Sequence, residues 1–205
     1  MKTKHLFLIA FAALLIFFQG SCEKDEDGCP IYKLPEATQT GENTFGCMIN
    51  DNVFVPRAAI SLFAPKPKAF LYNEETGKLY FYIIFAADDL DYQCGFPKIT
   101  FHMEAYEVYS TGEVEKGKYW ARISIYPVQY EPRKSYRYNN NLPDLSAKLE
   151  ITKLNKAENI ISGIFRFETY RAITDYDPND KLYVTEGRFD FTYNQDGSLV
   201  EGYSN

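Results

Sequence analysis

Residues 98–106 have the sequence K-I-T-F-H-M-E-A-Y, in which apolar and polar residues alternate. Successive side chains of a β-strand point to opposite faces of its sheet, so the alternation predicts a strand with one buried and one solvated face. The buried face would carry Ile99, Phe101 and Met103, and the solvated face would carry Thr100, His102 and Glu104. Sheets with one solvated face are typical of antiparallel proteins.

The same alternation recurs along the chain and predicts strands at residues 44–49, 53–56, 117–128, 145–154, 160–170 and 182–193. Residues 79–87 are almost continuously apolar and aromatic, which predicts a central strand covered on both faces. No segment has the pattern of a long capped helix, and 17% of the residues are aromatic, which favours strands. We therefore predict an all-β fold, a single antiparallel β-sandwich or partly open barrel of about eight to nine strands.

The chain of 205 residues begins with a segment typical of exported proteins. Residues 1–21 contain a basic start, an apolar run and small residues at the end, which together predict a signal peptide. The apolar run would span about 20 Å as a helix, less than the ~30 Å hydrocarbon core, so a permanent span is not expected. Cys22 follows Gly20 and Ser21 as in the lipobox of bacterial lipoproteins, which this stretch resembles although Gln19 replaces the usual aliphatic residue. The resemblance implies lipid attachment at Cys22.

Residues 22–33 are interpreted as a flexible acidic tether, because the charged run 23–27 cannot bury apolar surface. This run also resembles a short export signal that sends some lipoproteins to the outer face of the outer membrane. We therefore expect a protein held on the bacterial outer membrane by acyl chains and facing the exterior, with residues 34–205 as a single β domain. The net charge of −6 argues against a nucleic-acid partner.

Residues 34–47 read L-P-E-A-T-Q-T-G-E-N-T-F-G-C. They resemble the opening motif, L-P-x-A-T-Q-x-G-x-N-T-F-G-C, of a domain-of-unknown-function family of Gram-negative bacterial lipoproteins. The segments I-S-G-I-F-R-F at residues 161–167 and V-T-E-G-R-F-D-F-T-Y at residues 184–193 are also similar to that family. The resemblance implies an anchored all-β domain and carries no catalytic residues.

Three cysteines lie beyond Cys22, and export would place them in an oxidising compartment where a disulfide persists. Cys47 and Cys94 fall within the predicted β domain, whereas Cys29 falls in the tether, so a Cys47–Cys94 disulfide is favoured. The alternative is that Cys47 is a buried free thiol. None of the spacings resembles a zinc site.

Catalytic residue types are scarce. His102 is the sole histidine outside the leader, and a solvated strand position accounts for it without a function. No G-x-S-x-G nucleophile motif is present, and multi-histidine zinc sites are excluded. A glycosidase could act with two carboxylates, and the candidates are Glu104, Glu168, Glu186 and Asp190. If the hairpin turns near Pro178, however, Arg166 would face Asp190 and Glu168 would face Arg188 as solvent-exposed ion pairs.

A partial calcium-loop pattern occurs near the end of the chain. Asp175, Asp177, Asn179 and Glu186 occupy the ligand positions of such a loop. Asp180 stands where the loop needs glycine, so an acidic hairpin turn is the better interpretation. We predict no metal and no cofactor.

Residues 129–143 are predicted to form a long loop, and loops of this length are often functional. Their aromatic and basic residues could stack on sugar rings or hold anionic polymers: Tyr130, Arg133, Tyr136, Arg137 and Tyr138. The predicted function is a non-enzymatic binding or structural role at the cell envelope, with a glycan or a cell-surface protein as partner. The alternatives are a carbohydrate-binding accessory protein and a carboxylate-based glycosidase.

Overall fold

The structure is a computed structural model and describes residues 28–29, 31–56, 68–85, 94–126, 134–138, 145–171, 180–194, 196 and 198. For residues 68–69, 134–138 and 171 only the backbone is described. The chain divides into two units, residues 1–31 and 32–205, and the strands described below lie in the second.

Eleven strands lie within the described residues and no helix does. They are β1 Thr44–Ile49, β2 Asn52–Phe54, β3 Lys68–Asn73, β4 Lys78–Phe85, β5 Lys98–Ala105, β6 Gly112–Glu113, β7 Tyr119–Tyr126, β8 Lys134–Tyr138, β9 Ala147–Asn155, β10 Ile160–Arg171 and β11 Lys181–Thr192. The predicted all-β class is confirmed, but eleven strands replace the eight or nine that the sequence predicted.

The strands form two antiparallel sheets that do not close into a barrel, as in an open sandwich. One continuous hydrogen-bonded path runs β2-β1-β11-β10-β8-β7-β5-β4-β3, with β9 also paired to β10 and β6 to β9. The contact between β10 and β8 divides this path into the two sheets, β6-β9-β10-β11-β1-β2 and β3-β4-β5-β7-β8. The two sheets are joined through β10, whose residues 160–167 pair with β9 while Tyr170 and Arg171 pair with β8. The antiparallel sandwich predicted from the alternation is therefore correct.

Aromatic rings from both sheets fill the core. Phe45 on β1 lies 5.4–5.8 Å, between ring centroids, from four other phenylalanines: Phe81, Phe85, Phe101 and Phe165. Ile99, Phe101 and Met103 on β5 are all buried, as their alternating positions predicted. In the described part of the chain, the core contains nine phenylalanines and four tyrosines, and tilted and edge-on ring pairs among them add stabilisation beyond their buried area.

Three strands were missed, each for a local reason. In β3, Phe70 and Tyr72 are buried but the apolar Leu71 between them is 40% exposed, so the segment does not alternate in polarity. β6 has two residues, too few for a pattern. β8 lies in the predicted long loop, between asparagine and proline residues that signal turns, yet its backbone pairs with both β7 and β10.

Candidate ligand-binding surface

The outer face of β4, β5 and β7 carries a cluster of aromatic side chains around His102. The strand register places Tyr80, Glu104 and Trp120 in one row across the three strands, and Tyr82, His102 and Arg122 in the next row. Neighbouring residues in each strand, such as Phe81 and Ala121, point into the core. We call the set Tyr80, Tyr82, His102, Glu104 and Trp120 the aromatic surface.

Three aromatic rings surround the imidazole of His102. The centroid distances are 4.6 Å to Trp120, 5.0 Å to Tyr80 and 6.2 Å to Tyr82, and each pair is close to edge-on. These rings leave 23% of the His102 side chain exposed. His102 was predicted to be a solvated strand residue; its outward position is correct, but the neighbouring rings partly enclose it.

One ring nitrogen of His102 lacks a hydrogen-bond partner among the described residues. Its Nε2 atom is buried and has no hydrogen-bond partner among the described residues, and Glu104 Oε1 lies 3.8 Å away. Burial lowers the pKa of His102, with Arg122 and Lys78 acting in the same direction and Glu104 opposing them. The imidazole is therefore neutral at pH 7, and its buried Nε2 is not accessible to solvent.

Charged groups border the aromatic rings. Glu104 accepts a hydrogen bond from the hydroxyl of Tyr106 and lies 3.5 Å from Lys78 Nζ. Burial by itself would raise the pKa of Glu104, but Tyr106 and Lys78 hold it below its usual range. Arg122 lies 5.9 Å from the Trp120 ring centroid, within the range of a cation–π contact. The surface thus combines flat apolar rings with fixed hydrogen-bonding groups.

Sequence reasoning missed the three rings around His102. Residues 79–87 were interpreted as covered on both faces, whereas Tyr80 and Tyr82 are half-buried on the outer face of β4. The alternation of Leu79, Phe81 and Ile83 with Tyr80 and Tyr82 was the available signal. It was hidden because tyrosine counts as apolar in a hydrophobic pattern.

The predicted tyrosine-rich loop is only partly described. Tyr130 and Arg133 lie outside the described residues. Tyr136, Arg137 and Tyr138 belong to β8, with Tyr136 paired to Ile123 and Arg137 paired to Arg122. The prediction of a loop at these three positions is therefore wrong, because the segment is held between two neighbouring strands.

The predicted cross-strand ion pairs are also wrong. Asp190 pairs with Ser162 instead of Arg166, and Glu168 pairs with Tyr183 instead of Arg188. The observed register differs from the one given by a hairpin turn near Pro178, and this difference is already present at the pair Tyr170–Lys181, next to the turn. A bulge in β11, between the pairs Phe165–Gly187 and Phe167–Val184, changes the register by one further residue. Glu168 instead lies 3.8 Å from Lys181, and Glu186 lies 3.1 Å from Arg188.

Asp190 was predicted to be exposed to solvent, but it is buried and accepts several hydrogen bonds. Its carboxylate accepts hydrogen bonds from the hydroxyls of Ser162 and Thr38, both at 2.6 Å. It also accepts bonds of 2.9–3.2 Å from the backbone N–H groups of Thr40, Gly41 and Glu42. All of these donors except Ser162 belong to residues 35–43, here called the N-terminal strap, so the opening motif of the domain wraps this carboxylate.

The cysteine prediction is corrected by the structure. Cys47 is a free, buried thiol, whereas Cys29 and Cys94 are each disulfide-bonded. The favoured Cys47–Cys94 disulfide is therefore wrong, and the alternative of a buried free Cys47 is right. Cys47 lies on β1 with its side chain fully inside the core, and this burial raises its pKa.

Of the partial calcium loop, Asp175, Asp177 and Asn179 lie outside the described residues. Glu186 sits at the bulge of β11 with a φ of 49° and bonds to Arg188. Over the part of the chain that the structure describes, no group of three or more His, Cys, Asp or Glu side chains could hold a metal ion.

Scans of the chain against protein-family models, curated proteins and solved structures found no match in any of the three. In the described ranges, no helix has the length and hydropathy needed to cross a membrane.

Proposed function

We propose that this protein is a lipid-anchored binding protein of the bacterial outer membrane that faces the exterior and binds a glycan without catalysing a reaction. The leader, the position of Cys22 and the acidic tether support the anchoring and its location. The similarity of residues 34–47 to a lipoprotein family supports the same assignment.

The aromatic surface is the observation that carries glycan binding. Pyranose rings present apolar C–H faces that stack on tyrosine and tryptophan, and their hydroxyls need hydrogen-bonding partners nearby. Tyr80, Tyr82 and Trp120 supply the rings. Lys78 and Glu104 beside them are partly exposed and supply the hydrogen-bonding groups.

The carboxylates do not favour the glycosidase alternative. A general acid in such an enzyme needs a raised pKa, whereas the pKa values of Glu104 and Asp190 are both lowered. Glu168 and Glu186 are engaged with Lys181 and Arg188. A binding role needs no free carboxylate pair.

Trp120 is the single tryptophan of the chain, so its fluorescence reports directly on this surface. We would titrate the full chain, in detergent, with a panel of neutral polysaccharides and record tryptophan emission and calorimetric affinity. Tyr80→Ala should weaken binding about tenfold or more, since an aromatic contact typically contributes about 1–3 kcal/mol.

The matched control is Tyr183→Ala, which removes a tyrosine that is 48% exposed on β11. It should bind like the wild type. Failure of every glycan to change Trp120 emission, or equal affinity of the Tyr80→Ala and wild-type proteins, would overturn the proposal.

A further inference from the structure

A groove of about 450 Å³ lies between the N-terminal strap and the sheet formed by β9, β10 and β11. Ala37 of the strap and Ile164 of β10 contribute its apolar lining, and Ile164 is 38% exposed. Its charged lining consists of Lys148, Arg166, Arg188 and Glu186. None of these residues belongs to the aromatic surface.

The groove is cationic although the chain is acidic. Its lining has three cations against one carboxylate, whereas the chain has a net charge of −6. Lys148 and Arg166 are directly paired across β9 and β10, and like charges in that position destabilise a sheet. Glu150 compensates the charge of Lys148 from 2.7 Å away, so Arg166 is the cation that a bound anion would neutralise.

Two of the three cations are already engaged. Lys148 Nζ lies 2.7 Å from Glu150, and Arg188 donates to the Glu186 side chain, the Glu186 carbonyl and the Pro35 carbonyl at 3.1–3.2 Å. Arg166 is exposed and has no hydrogen bond or ion pair within the described residues. Its planar guanidinium therefore has free donors, arranged as a carboxylate requires.

The strands and side chains around the groove restrict the kind of anion that it can bind. β10 and β11 each pair with a strand on both sides, so the groove lies on the face of the sheet at these strands and not at an open strand edge. A ligand must instead be recognised by side chains, with a charge for Arg166 and an apolar face for Ile164. A sugar acid has both, because its carboxylate is attached to a ring with an apolar face.

We propose that this groove binds a uronic acid residue of an acidic polysaccharide, with the carboxylate held by Arg166 and the ring lying on Ile164. The assignment goes beyond the proposed function, since it concerns a second site with different residues and a charged ligand.

The test compares the affinity of the full chain for oligogalacturonate with its affinity for the neutral methyl ester of the same oligosaccharide. The acid should bind and the ester should bind at least about tenfold more weakly, since a charge-assisted hydrogen bond contributes about 1.5–3 kcal/mol. Arg166→Gln should lose the preference for the acid. Arg166→Lys should recover only part of it, because an ammonium lacks the two parallel donors.

Lys156→Gln is the control for the loss of one positive charge, because Lys156 is 48% exposed and outside the groove. Equal binding of acid and ester, or equal loss in Arg166→Gln and Lys156→Gln, would overturn the proposal. Binding of dextran sulfate or polyglutamate, but not of oligogalacturonate, would assign the groove to another anion and also overturn it. The preference for the acid over the ester reports on the groove, whereas Trp120 emission with neutral polysaccharides reports on the aromatic surface, so the two proposals are tested by separate measurements.

Discussion

Ser162 on β10 donates a 2.6 Å hydrogen bond to Asp190 on β11, and both side chains are buried. The same carboxylate accepts four further donors from the N-terminal strap, so one ionised group fastens the strap to the sheet. A buried carboxylate is tolerated here because five donors replace its hydration.

Asp190→Asn should destabilise the protein by about 2–4 kcal/mol. The amide group would face donors with its own N–H groups, which leaves buried polar groups without partners. Urea unfolding of both proteins measures the difference. Asp51→Asn makes the same change at an exposed position and should stay within about 0.5 kcal/mol of the wild type.

The same substitution should change the response to acid. Burial would raise the pKa of Asp190, but Ser162, Thr38 and the strap N–H groups hold it below its usual value. A depressed folded-state pKa contributes stability that is complete above the unfolded pKa and is lost as the pH falls through the folded value. The stability gap between wild type and variant should therefore be constant near neutrality and shrink below about pH 4. A gap that does not narrow in acid would contradict this account.

Trp120 should report the protonation of His102. The imidazolium ion quenches indole fluorescence, and the two rings lie 4.6 Å apart. Because burial lowers the pKa of His102, the emission of the folded protein should fall with a midpoint below the ordinary histidine value of about 6.5. Stability should likewise decline as the pH drops from about 6.5 through the folded pKa, since the unfolded chain binds the proton more readily. His102→Gln should abolish the fluorescence transition, and a transition that persists in this variant would refute the assignment.

Gly41→Ala should destabilise the protein by disturbing the contact between the N-terminal strap and β11. Gly41 has a φ of 80°, and a Cβ atom there would lie 2.2 Å from Thr192 Oγ1, which donates to the Gly41 carbonyl. Gly95→Ala is a matched control, because Gly95 has a φ of 76° and open space around the Cβ position. Both variants suffer the left-handed backbone penalty of about 1 kcal/mol, but Gly41→Ala should lose about 1–3 kcal/mol more in thermal or urea unfolding. Equal losses would show that the contact with Thr192 is unimportant.

The Cys47 thiol should not react with alkylating reagents in the native protein. Its thiol is buried and its pKa is raised, so the reactive thiolate is not formed at neutral pH. Iodoacetamide should label Cys47 after denaturation without a reductant, whereas Cys29 and Cys94 should need reduction first. Peptide mass spectrometry distinguishes these cases. Labelling of native Cys47 at the rate of a free thiol would contradict the burial.

The strands that could be predicted are those whose alternation is unambiguous. β5 is the clearest case, since Ile99, Phe101 and Met103 are buried as expected. The register between β10 and β11 could not be predicted, because it follows from the position of the hairpin turn, and a turn near Pro178 does not give the observed pairs Ser162–Asp190 and Glu168–Tyr183. Asp190 was assigned to the solvated face, but it is buried because the N-terminal strap covers its carboxylate.

The aromatic surface could not be derived from the sequence because its members come from three strands. His102 and Trp120 are neighbours because β5 pairs with β7 and not with β6, which instead pairs with β9. Local pattern gives the face on which each residue lies, but only the order of the strands brings the rings together. The hydrogen-bond donors of Asp190 could not be predicted for a similar reason, since residues 38–42 and residue 190 are far apart in sequence.

β10 pairs with β9 in one sheet and with β8 in the other, and this arrangement couples the unfolding of the two sheets. Its backbone amides near Ile161 are held in one sheet, while Tyr170 and Arg171 are held at the margin of the other. A fluctuation that frees this strand would remove a partner from β9 and β11 in one sheet and from β8 in the other. The molecule should consequently resist stepwise opening, and amide exchange along β10 should report the global unfolding of the domain.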